Sequence, residues 1–545
     1  MGRDPGNRRV TVYLFATVTV LHALCMVFLV PPPDPAIAAV GHDSSYILLV
    51  AQNLLAGRGF VNDAHWLVFL KPESLPIPFH NANPLYPTII AGISFLSGLH
   101  PIRSGLLVSA LSNTLLFGGL LTLSGIYTNS RMWRLAIAVG GSAFPAVFVT
   151  SFDLLPDALW AAISVWLGAS LFRMKGLSAG LICGALLGLA WLTRSSTLFL
   201  LPAIVVYVAW VRGVRGRLGQ LLLMAGAAVL ISLPWLVHQA LVWGNPLRGD
   251  GSYYLLQDYF VDRDFSGKLS YYWHSLDEPA GLLHLLANEP LEFIGFVMRA
   301  LPEYFQNVAA GWANSSIPAA VAIAILAAQA LRYAVSWFSR VSNSDRGRVL
   351  PSLVAAFVYT ATLFGVLAIR PFTIELRYLV LGSVILGVIL MIGFLSAASD
   401  LMAARRVRPW ISGTVATVGL AWWLAVVPIR DIGFACAASM EVTEKQEYFE
   451  LARHMMRIYS PRGPVVVGDF PYYFTLATGH ASLSIPYADG QDLLRYMDKY
   501  GAEFVLLTSE EVDFWLRDSG TTGDAPAGLE HVYVADDYVV YRLTK

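Results

Sequence analysis

Long apolar runs dominate this chain, and they restrict its possible folds more than any other feature. Of its 545 residues, 56% are hydrophobic and 14% are charged, a balance typical of proteins that cross a membrane many times. About eleven runs approach the roughly 20 apolar residues that a transmembrane helix needs. They lie near 10–30, 104–128, 135–151, 157–172, 177–193, 195–211, 218–237, 314–335, 350–369, 377–396 and 411–428. The sequence therefore predicts a mainly α-helical, polytopic membrane protein with about eleven spans.

The orientation of the spans depends on one shorter apolar segment, Pro84 to Leu99. If this segment does not cross, most later arginines and lysines lie on the same side as the basic N-terminus, as the positive-inside rule requires. These residues are Arg131, Arg134, Arg173, Lys175, Arg212, Arg215, Arg217, Arg332, Arg340, Arg346, Arg348, Arg405, Arg406 and Arg408. We therefore predict a re-entrant or interfacial helix at Pro84 to Leu99. The N-terminus is expected in the cytoplasm, in a protein of the cytoplasmic (inner) membrane.

This topology divides the chain into a membrane module, residues 1–430, and an extracytoplasmic tail, residues 438–545. Two further large segments of the module are expected outside the cytoplasm. They are the first loop, 31–103, which includes interfacial helices, and a second loop, 238–313, with an amphipathic piece at Leu291 to Gln306. The tail is expected to be periplasmic or extracellular.

The tail alternates helix-like and strand-like patterns, which predicts a small α/β domain with one core. The predicted elements are a helix at Glu441 to Tyr459, a strand at Pro464 to Gly468, a helix at Gly490 to Tyr500, a strand at Glu503 to Leu507, a helix at Ser509 to Arg517, and a closing hairpin around Asp536 and Asp537. The tail has no obvious catalytic set. We expect it to dock on or cover the membrane module.

Polar side chains gather at the extracytoplasmic ends of the predicted spans. They include Asp43, Tyr46, His65, Lys71, His80, Asn81, Asn83, Asp153, Asp157, Arg194, Arg370, Glu375 and Arg377. The middles of the spans carry no comparable acid or base, which argues against a proton-coupled transporter. At the extracytoplasmic ends of the spans, a carboxylate could take a proton from an acceptor hydroxyl, while arginine or lysine holds a lipid-linked phosphate. This chemistry requires neither nucleotide nor metal, and we predict no metal site, no cofactor and no nucleic-acid partner.

Each of these candidates also has a structural alternative. Asp43 could cap a helix that Gly57 and Gly59 end, and Asp157 could cap the fourth span. Arg194 could be an interfacial anchor. Glu375 could form a local pair with the arginine two residues later.

Several motifs occur in one order and on one predicted side of the membrane. They are GHDSSYILLVAQNLLAGRGF at 41–60, NPLYP at 83–87, the acid Asp153 after the third span, LTR at 192–194 and RY at 377–378. In this combination the chain resembles the GT-C superfamily of integral membrane glycosyltransferases. It looks most like the branch of protein O-mannosyltransferases and the aminoarabinose transferase of lipid A modification. The likeness covers roughly Arg9 to Leu395 and only loosely the tail.

The resemblance implies a GT-C-like fold and transfer of a sugar, with inversion, from a polyprenyl-phosphate donor. The acceptor would be an extracytoplasmic glycan, lipid or protein hydroxyl, and membrane lipids would surround the site. Asp43 matches the catalytic carboxylate of the family, and Asp153 the second acid, which supports the acceptor side. The residues expected on the donor or phosphate side are Tyr46, Lys71, His80, Asn83, Arg194 and Arg377, and those expected on the acceptor side are Asp157 and Glu375.

The chain departs from the aminoarabinose-transferase branch at one motif. That branch has a lysine before a Pro-Pro-Leu element, whereas this chain has Asn83 before Pro84. Lys71, His80 or the arginines would then supply the charge. Two other classes remain open: a lipid-linked glycan transporter, which needs access from both sides, and a noncatalytic envelope assembly factor.

Overall fold

The computed structural model describes slightly less than half of the chain. The described residues are 42–65, 74–79, 83–125, 131–142, 154–172, 177–212, 218–246, 282–299, 450–468, 471–485, 490–508, 528–535 and 538–544, with a few single positions between 302 and 512. The predicted spans near 10–30, 314–335 and 411–428 and most of the predicted helix at Ser509 to Arg517 lie outside them. The total of eleven spans therefore remains a prediction.

The described part of the membrane module is helical. Its helices are α1 (His42–Leu55), α2 (Leu85–Ser97), α3 (Pro101–Ser124), α4 (Arg131–Ser142), α5 (Asp157–Phe172), α6 (Leu177–Thr193), α7 (Leu201–Arg212), α8 (Leu218–Trp243) and α9 (Leu282–Asn288), with a 3-10 helix at Ser195–Leu200. Helices α5 and α6 coincide with predicted spans. Among the described helices, α3 and α8 are long and apolar enough to cross a membrane.

Helix α2 corresponds to the short apolar segment that was predicted not to cross. Its 13 residues span about 20 Å at 1.5 Å per residue, less than the roughly 30 Å hydrocarbon core. It ends at Gly98, whose φ of 70° gives a left-handed cap. Two hydrogen bonds of 2.8 Å join its buried face to α3, one between the hydroxyls of Tyr86 and Ser109 and one from the Ser94 hydroxyl to the Ser104 hydroxyl. Helices α5 and α6, with 16 and 17 residues, are also shorter than the hydrocarbon core, so the re-entrant or interfacial placement of α2 and its side of the membrane remain predictions.

Helix α3 begins at His100, whose imidazole caps its first turn. The Nδ1 atom of His100 accepts a hydrogen bond from the Ile102 amide at 3.4 Å. Burial lowers the pKa of His100, and the nearby charge of Arg103 lowers it further. A ring nitrogen that accepts a hydrogen bond is unprotonated, and the lowered pKa of His100 favours that form.

Helices α6 and α8 pack through small residues. Gly180, Gly184 and Gly188 recur every four residues on α6 and face backbone oxygens of α8. A β-carbon at Gly180 would lie 2.8 Å from the Gln220 oxygen, and one at Gly188 would lie 2.9 Å from the Ala228 oxygen. Neither contact leaves room for a methyl group. Small residues at four-residue spacing let two membrane helices approach closely.

We expect Gly184→Ala to destabilise the protein by about 1–3 kcal/mol, because the new methyl group would overlap the Met224 backbone oxygen of α8. Gly226→Ala, on α8, is the matched control, since a β-carbon there meets nothing within 4 Å. The control should be neutral or slightly stabilising, because alanine favours helix over glycine by about 1 kcal/mol. Denaturant unfolding in detergent measures both variants. Equal stabilities would contradict the close α6–α8 contact.

The described tail contains a mixed β-sheet with helices on both faces. Its elements are the helical residues 450–459, β4 (Val465–Val467), α10 (Pro471–Thr478), β5 (Ser482–Ser484), α11 (Gly490–Tyr500), β6 (Phe504–Thr508), β7 (Leu529–Ala535) and β8 (Tyr538–Leu543). Strand β4 is parallel to β5 and β6, whereas β8 is antiparallel to both β6 and β7. The described part of the tail contains both helices and strands, and β7 and β8 form a hairpin; a separate α/β domain remains a prediction. The sequence patterns missed α10 and β5.

The two faces of this sheet bury different partners. Side chains alternate along β4, so that Val466 packs toward α11 while Val465 and Val467 pack toward residues 450–459. The latter core also includes Leu48 of α1 and Leu154, which precedes α5. The described part of the tail therefore packs against α1 and against the residues that precede α5; its role remains a prediction.

The sheet also includes a strand from the first loop. The short strands are β1 (Val61–Asn62), β2 (Ala64–His65) and β3 (Ile77–Pro78). Strand β1 pairs with β3, whereas β2 pairs in parallel with β5 of the tail. The full order is β2-β5-β4-β6-β8-β7. The first loop and the tail thus share one six-stranded sheet.

Candidate active site at the ends of α5 and α6

A buried ion pair joins the start of α5 to the end of α6. Arg194, which follows α6, contacts a carboxylate oxygen of Asp157, the first residue of α5. The side chain of Asp157 is 2% exposed and that of Arg194 is 18% exposed. Burying a lone carboxylate is costly, and a guanidinium partner offsets much of that cost. The pair places one carboxylate and one guanidinium where α5 begins and α6 ends.

A short hydrogen-bond network fixes the backbone that carries Arg194. The Thr197 hydroxyl donates to the Arg194 carbonyl oxygen at 2.8 Å, and the Trp160 indole N–H donates to the Thr197 hydroxyl oxygen at 2.8 Å. The Arg194 amide continues the helical pattern by donating to the Ala190 oxygen at 2.9 Å. These hydrogen bonds fix the backbone of Arg194, and the ion pair with Asp157 fixes its guanidinium.

Asn83 connects the start of α2 to the same place. Its side-chain amide donates to the carbonyl oxygen of Trp191, in the last turn of α6. This contact explains why a short polar residue stands before Pro84. It also brings the NPLYP and LTR motifs together, although they are distant in the sequence.

Tyr46 lies in an aromatic cluster beside these contacts. Its side chain is 4% exposed, stacks on Phe79 at 5.4 Å between ring centroids and meets the edge of Tyr472 at 5.1 Å. The cluster continues through Phe60 and Trp235, whose centroids are 5.3 Å apart. Tyr46 shares its apolar core with Leu155 and Leu159 at the start of α5. A donor contact for Tyr46 remains a prediction.

The turn after α1 explains the glycines of the first motif. Gly57 and Gly59 have φ values of 73° and 80°, in the left-handed region that favours glycine. Between them, Arg58 bonds to Asn53 of α1 and forms an ion pair with Asp63, 2.8 Å away. Asn53 also donates to the Val61 carbonyl oxygen at 2.7 Å. Sequence patterns did not predict this network, although the asparagine within α1 is a polar residue in an apolar helix and was an available signal.

The predicted site residues fall into three groups. Asn83, Asp157 and Arg194 come together around the end of α6, with Tyr46 in the adjoining core. Asp43 lies in the first turn of α1, but its side chain lies outside the described part of the protein. The remaining candidates also lie outside it: Lys71, His80, Asp153, Glu375 and Arg377. Among the described residues, no three His, Cys, Asp or Glu side chains gather into a metal site.

Three solved structures share this fold. ArnT from Cupriavidus metallidurans bound to undecaprenyl phosphate is 14% identical, with a TM-score of 0.53 over 97% of each chain. The apo oligosaccharyltransferase of Archaeoglobus fulgidus is 12% identical, with a TM-score of 0.54 over 91% of this chain and 70% of that one. The same oligosaccharyltransferase tethered with an acceptor peptide is 13% identical, with a TM-score of 0.54 over 98% of this chain and 74% of that one.

Comparison of sequences alone finds no relative, since neither a protein-family model nor a curated protein matches the chain. The similarity therefore lies in the arrangement of helices and tail along nearly the whole chain. The resemblance inferred from the motifs is confirmed at the level of the fold: the chain shares the fold of the ArnT and oligosaccharyltransferase structures.

Proposed function

We propose that this chain is an inverting membrane glycosyltransferase that moves a sugar from a polyprenyl-phosphate donor to an extracytoplasmic glycan, lipid or protein hydroxyl. The observation that carries the proposal is the convergence of several sequence motifs at the place where α5 begins and α6 ends. Motifs separated by up to about a hundred residues meet there, through the bonds of Asn83 to Trp191 and of Arg194 to Asp157. The ArnT structure with undecaprenyl phosphate, in the same fold, supports the choice of donor.

The proposed catalytic carboxylate is Asp43. A sugar or protein hydroxyl is a weak nucleophile at neutral pH, and a carboxylate that accepts its proton raises its reactivity. Asp43 lies in the first turn of α1, one turn before Tyr46, whose side chain packs in the same core as Leu155 and Leu159 of the α5 region. The start of α1 is therefore next to the start of α5. Asp153, four residues before Asp157, is proposed as its helper on the acceptor side, together with Asp157 and Glu375.

The proposed donor side consists of cations and amides that stabilise a departing phosphate. A guanidinium has five N–H donors in a planar fork that matches the oxygens of a phosphate, and Arg194 is proposed to contact the donor phosphate. Arg377, Lys71 and His80 are proposed to supply further contacts, with Asn83 holding the NPLYP segment against α6. A phosphate leaving group gains from such donors as its charge develops.

The sidedness of this site is part of the same proposal. The positive-inside rule puts Asp43, Asp157 and Arg194 on the extracytoplasmic side of the cytoplasmic membrane, with the N-terminus inside. The tail then lies outside as well, because it packs against Leu48 of α1 and Leu154.

A panel of defined polyprenyl-phosphate sugars, incubated with the purified full-length protein, tests the proposal. We expect one donor to be consumed, with release of free polyprenyl phosphate and a product inverted at the anomeric carbon. Mass spectrometry follows the lipid, and NMR reads the anomeric configuration. Protein carrying Asp43→Asn serves as the inactive control. Movement of the intact lipid-linked sugar across a vesicle membrane, without cleavage of any donor, would instead indicate a transporter.

A further inference from the structure

The first loop and the tail are joined by backbone pairing as well as by packing. Strand β2 pairs with β5 in parallel, with Ala64 opposite Ser482 and His65 opposite Leu483. The Ser482 amide donates to the Asp63 carbonyl oxygen at 3.2 Å. Residues more than 400 positions apart in the sequence thus form one edge of the sheet.

The same stretch of the first loop is tied to α1. Asp63 forms an ion pair with Arg58, which bonds to Asn53 inside α1. The Asn62 side chain donates to the Tyr46 carbonyl oxygen at 3.3 Å and accepts from the Ala64 amide at 3.0 Å. The residues next to β2 are therefore bonded to α1 both near its start, at Tyr46, and near its end, at Asn53.

A second contact reaches α1 directly from the tail. Tyr472, in the first turn of α10, is 3% exposed and meets the Tyr46 ring edge-on at 5.1 Å between centroids. Strand β5 and α10 are themselves locked together, since Ser482 Oγ donates to the Pro471 carbonyl oxygen at 2.6 Å and lies 2.7 Å from the Thr475 hydroxyl. Strand β5, which pairs with β2, and α10, which carries Tyr472 against Tyr46, thus form one bonded unit of the tail.

We propose that the tail positions the first-loop wall of the active site: β5 and Tyr472 hold β2 and Tyr46, and thereby fix the segment 42–65 that carries Asp43. The inference rests on the proposed function, because it gives the tail a part in the transfer reaction. Ser482 and Tyr472 are positioning residues that act through α1 and touch no substrate. A carboxylate that takes a proton must be positioned to within a fraction of an ångström. The position of Asp43 depends on that of α1, which its neighbours fix.

The test compares two substitutions at Ser482 in the full-length protein. In a parallel sheet the amide of Ser482 faces β2, so Ser482→Pro removes that donor. Ser482→Ala keeps the amide and removes only the hydroxyl bonds to α10, and is the matched control. We expect Ser482→Pro to raise amide hydrogen exchange in residues 58–65 about tenfold relative to Ser482→Ala, as expected for loss of hydrogen bonds at a sheet edge. Exchange in β6 should be unchanged. Unchanged exchange in 58–65 would overturn the proposal.

Tyr472→Ala provides a second variant in case proline disrupts the whole tail, which would appear as faster exchange in β6. Loss of the ring should raise exchange in residues 42–50 about tenfold, and Tyr472→Phe, which keeps the ring, should restore protection. Unchanged exchange in 42–50 of Tyr472→Ala would also overturn the proposal.

Transfer kinetics complete the test. Both Ser482→Pro and Tyr472→Ala should lower kcat about tenfold, because they displace the base. Tyr472→Ala should also raise the donor KM, because it removes the packing partner of Tyr46 on the proposed donor side. A loosened first loop with unchanged kcat would overturn the positioning role. If the wild-type protein transfers no sugar, the proposed function is wrong, whereas the exchange measurements still decide whether the tail holds the first loop.

Discussion

Replacing Asp43 by asparagine is expected to lower sugar transfer at least a hundredfold, which is the lower end of the roughly 10²–10⁴-fold contribution of a general base. Asparagine keeps the size of the side chain and can still cap a helix, but it cannot accept a proton at neutral pH. The substitution therefore separates catalysis from capping, the two roles that the position of Asp43 at the start of α1 permits. Turnover of the polyprenyl-phosphate donor by the purified variant is the measurement.

The control for Asp43→Asn is Glu530→Gln, which removes an exposed acid from β7 of the tail. We expect wild-type turnover in this variant. Both variants should insert in the membrane and unfold at the wild-type temperature. Normal turnover by Asp43→Asn would remove Asp43 from the catalytic role and leave it as a helix cap.

Breaking the ion pair between Arg194 and Asp157 is expected to cost about 3–5 kcal/mol of stability, the range for removing one partner of a buried pair. Arg194→Met leaves the carboxylate of Asp157 buried and uncompensated at 2% exposure. The double variant Arg194→Met/Asp157→Leu should recover most of this loss, because neither charge then remains. Denaturant unfolding in detergent provides the three free energies.

Arg58→Met is the matched control for Arg194→Met. Its ion pair with Asp63 has an arginine side chain that is 51% exposed, so its loss should cost about 1 kcal/mol or less. A double variant as unstable as Arg194→Met would contradict the interpretation, since the loss would then come from packing and not from an unpaired charge. The double variant should also bind donor less well, because Arg194 is proposed to contact its phosphate.

The elements that could be predicted from sequence are those with a local signal. Helix α11 was predicted at its observed bounds, Gly490 to Tyr500, from apolar residues at helical spacing, and the hairpin of β7 and β8 from alternation on either side of two aspartates. Helix α2 was predicted to be too short to cross because its apolar run ends early, and the structure gives it 13 residues.

The contacts that could not be predicted are nonlocal. Strand β2 has two residues and no periodic pattern, and its partner β5 lies at the other end of the chain. Asp157 was correctly recognised at a helix start, but nothing in its own neighbourhood indicates that Arg194 is its partner. In the same way, Asn83 was expected near phosphate, whereas its described contact is the Trp191 carbonyl oxygen. Tertiary packing, which sequence periodicity does not encode, decides all three.

The most direct test of the account is an experimental structure of the full-length protein in lipid nanodiscs with undecaprenyl phosphate. We predict that the phosphate lies where α5 begins and α6 ends, within hydrogen-bond distance of Arg194. The start of α1 should lie on the other side of the phosphate, and the tail should lie on the same side of the membrane. A phosphate bound at the opposite end of these helices, near Leu177, would contradict the proposed site.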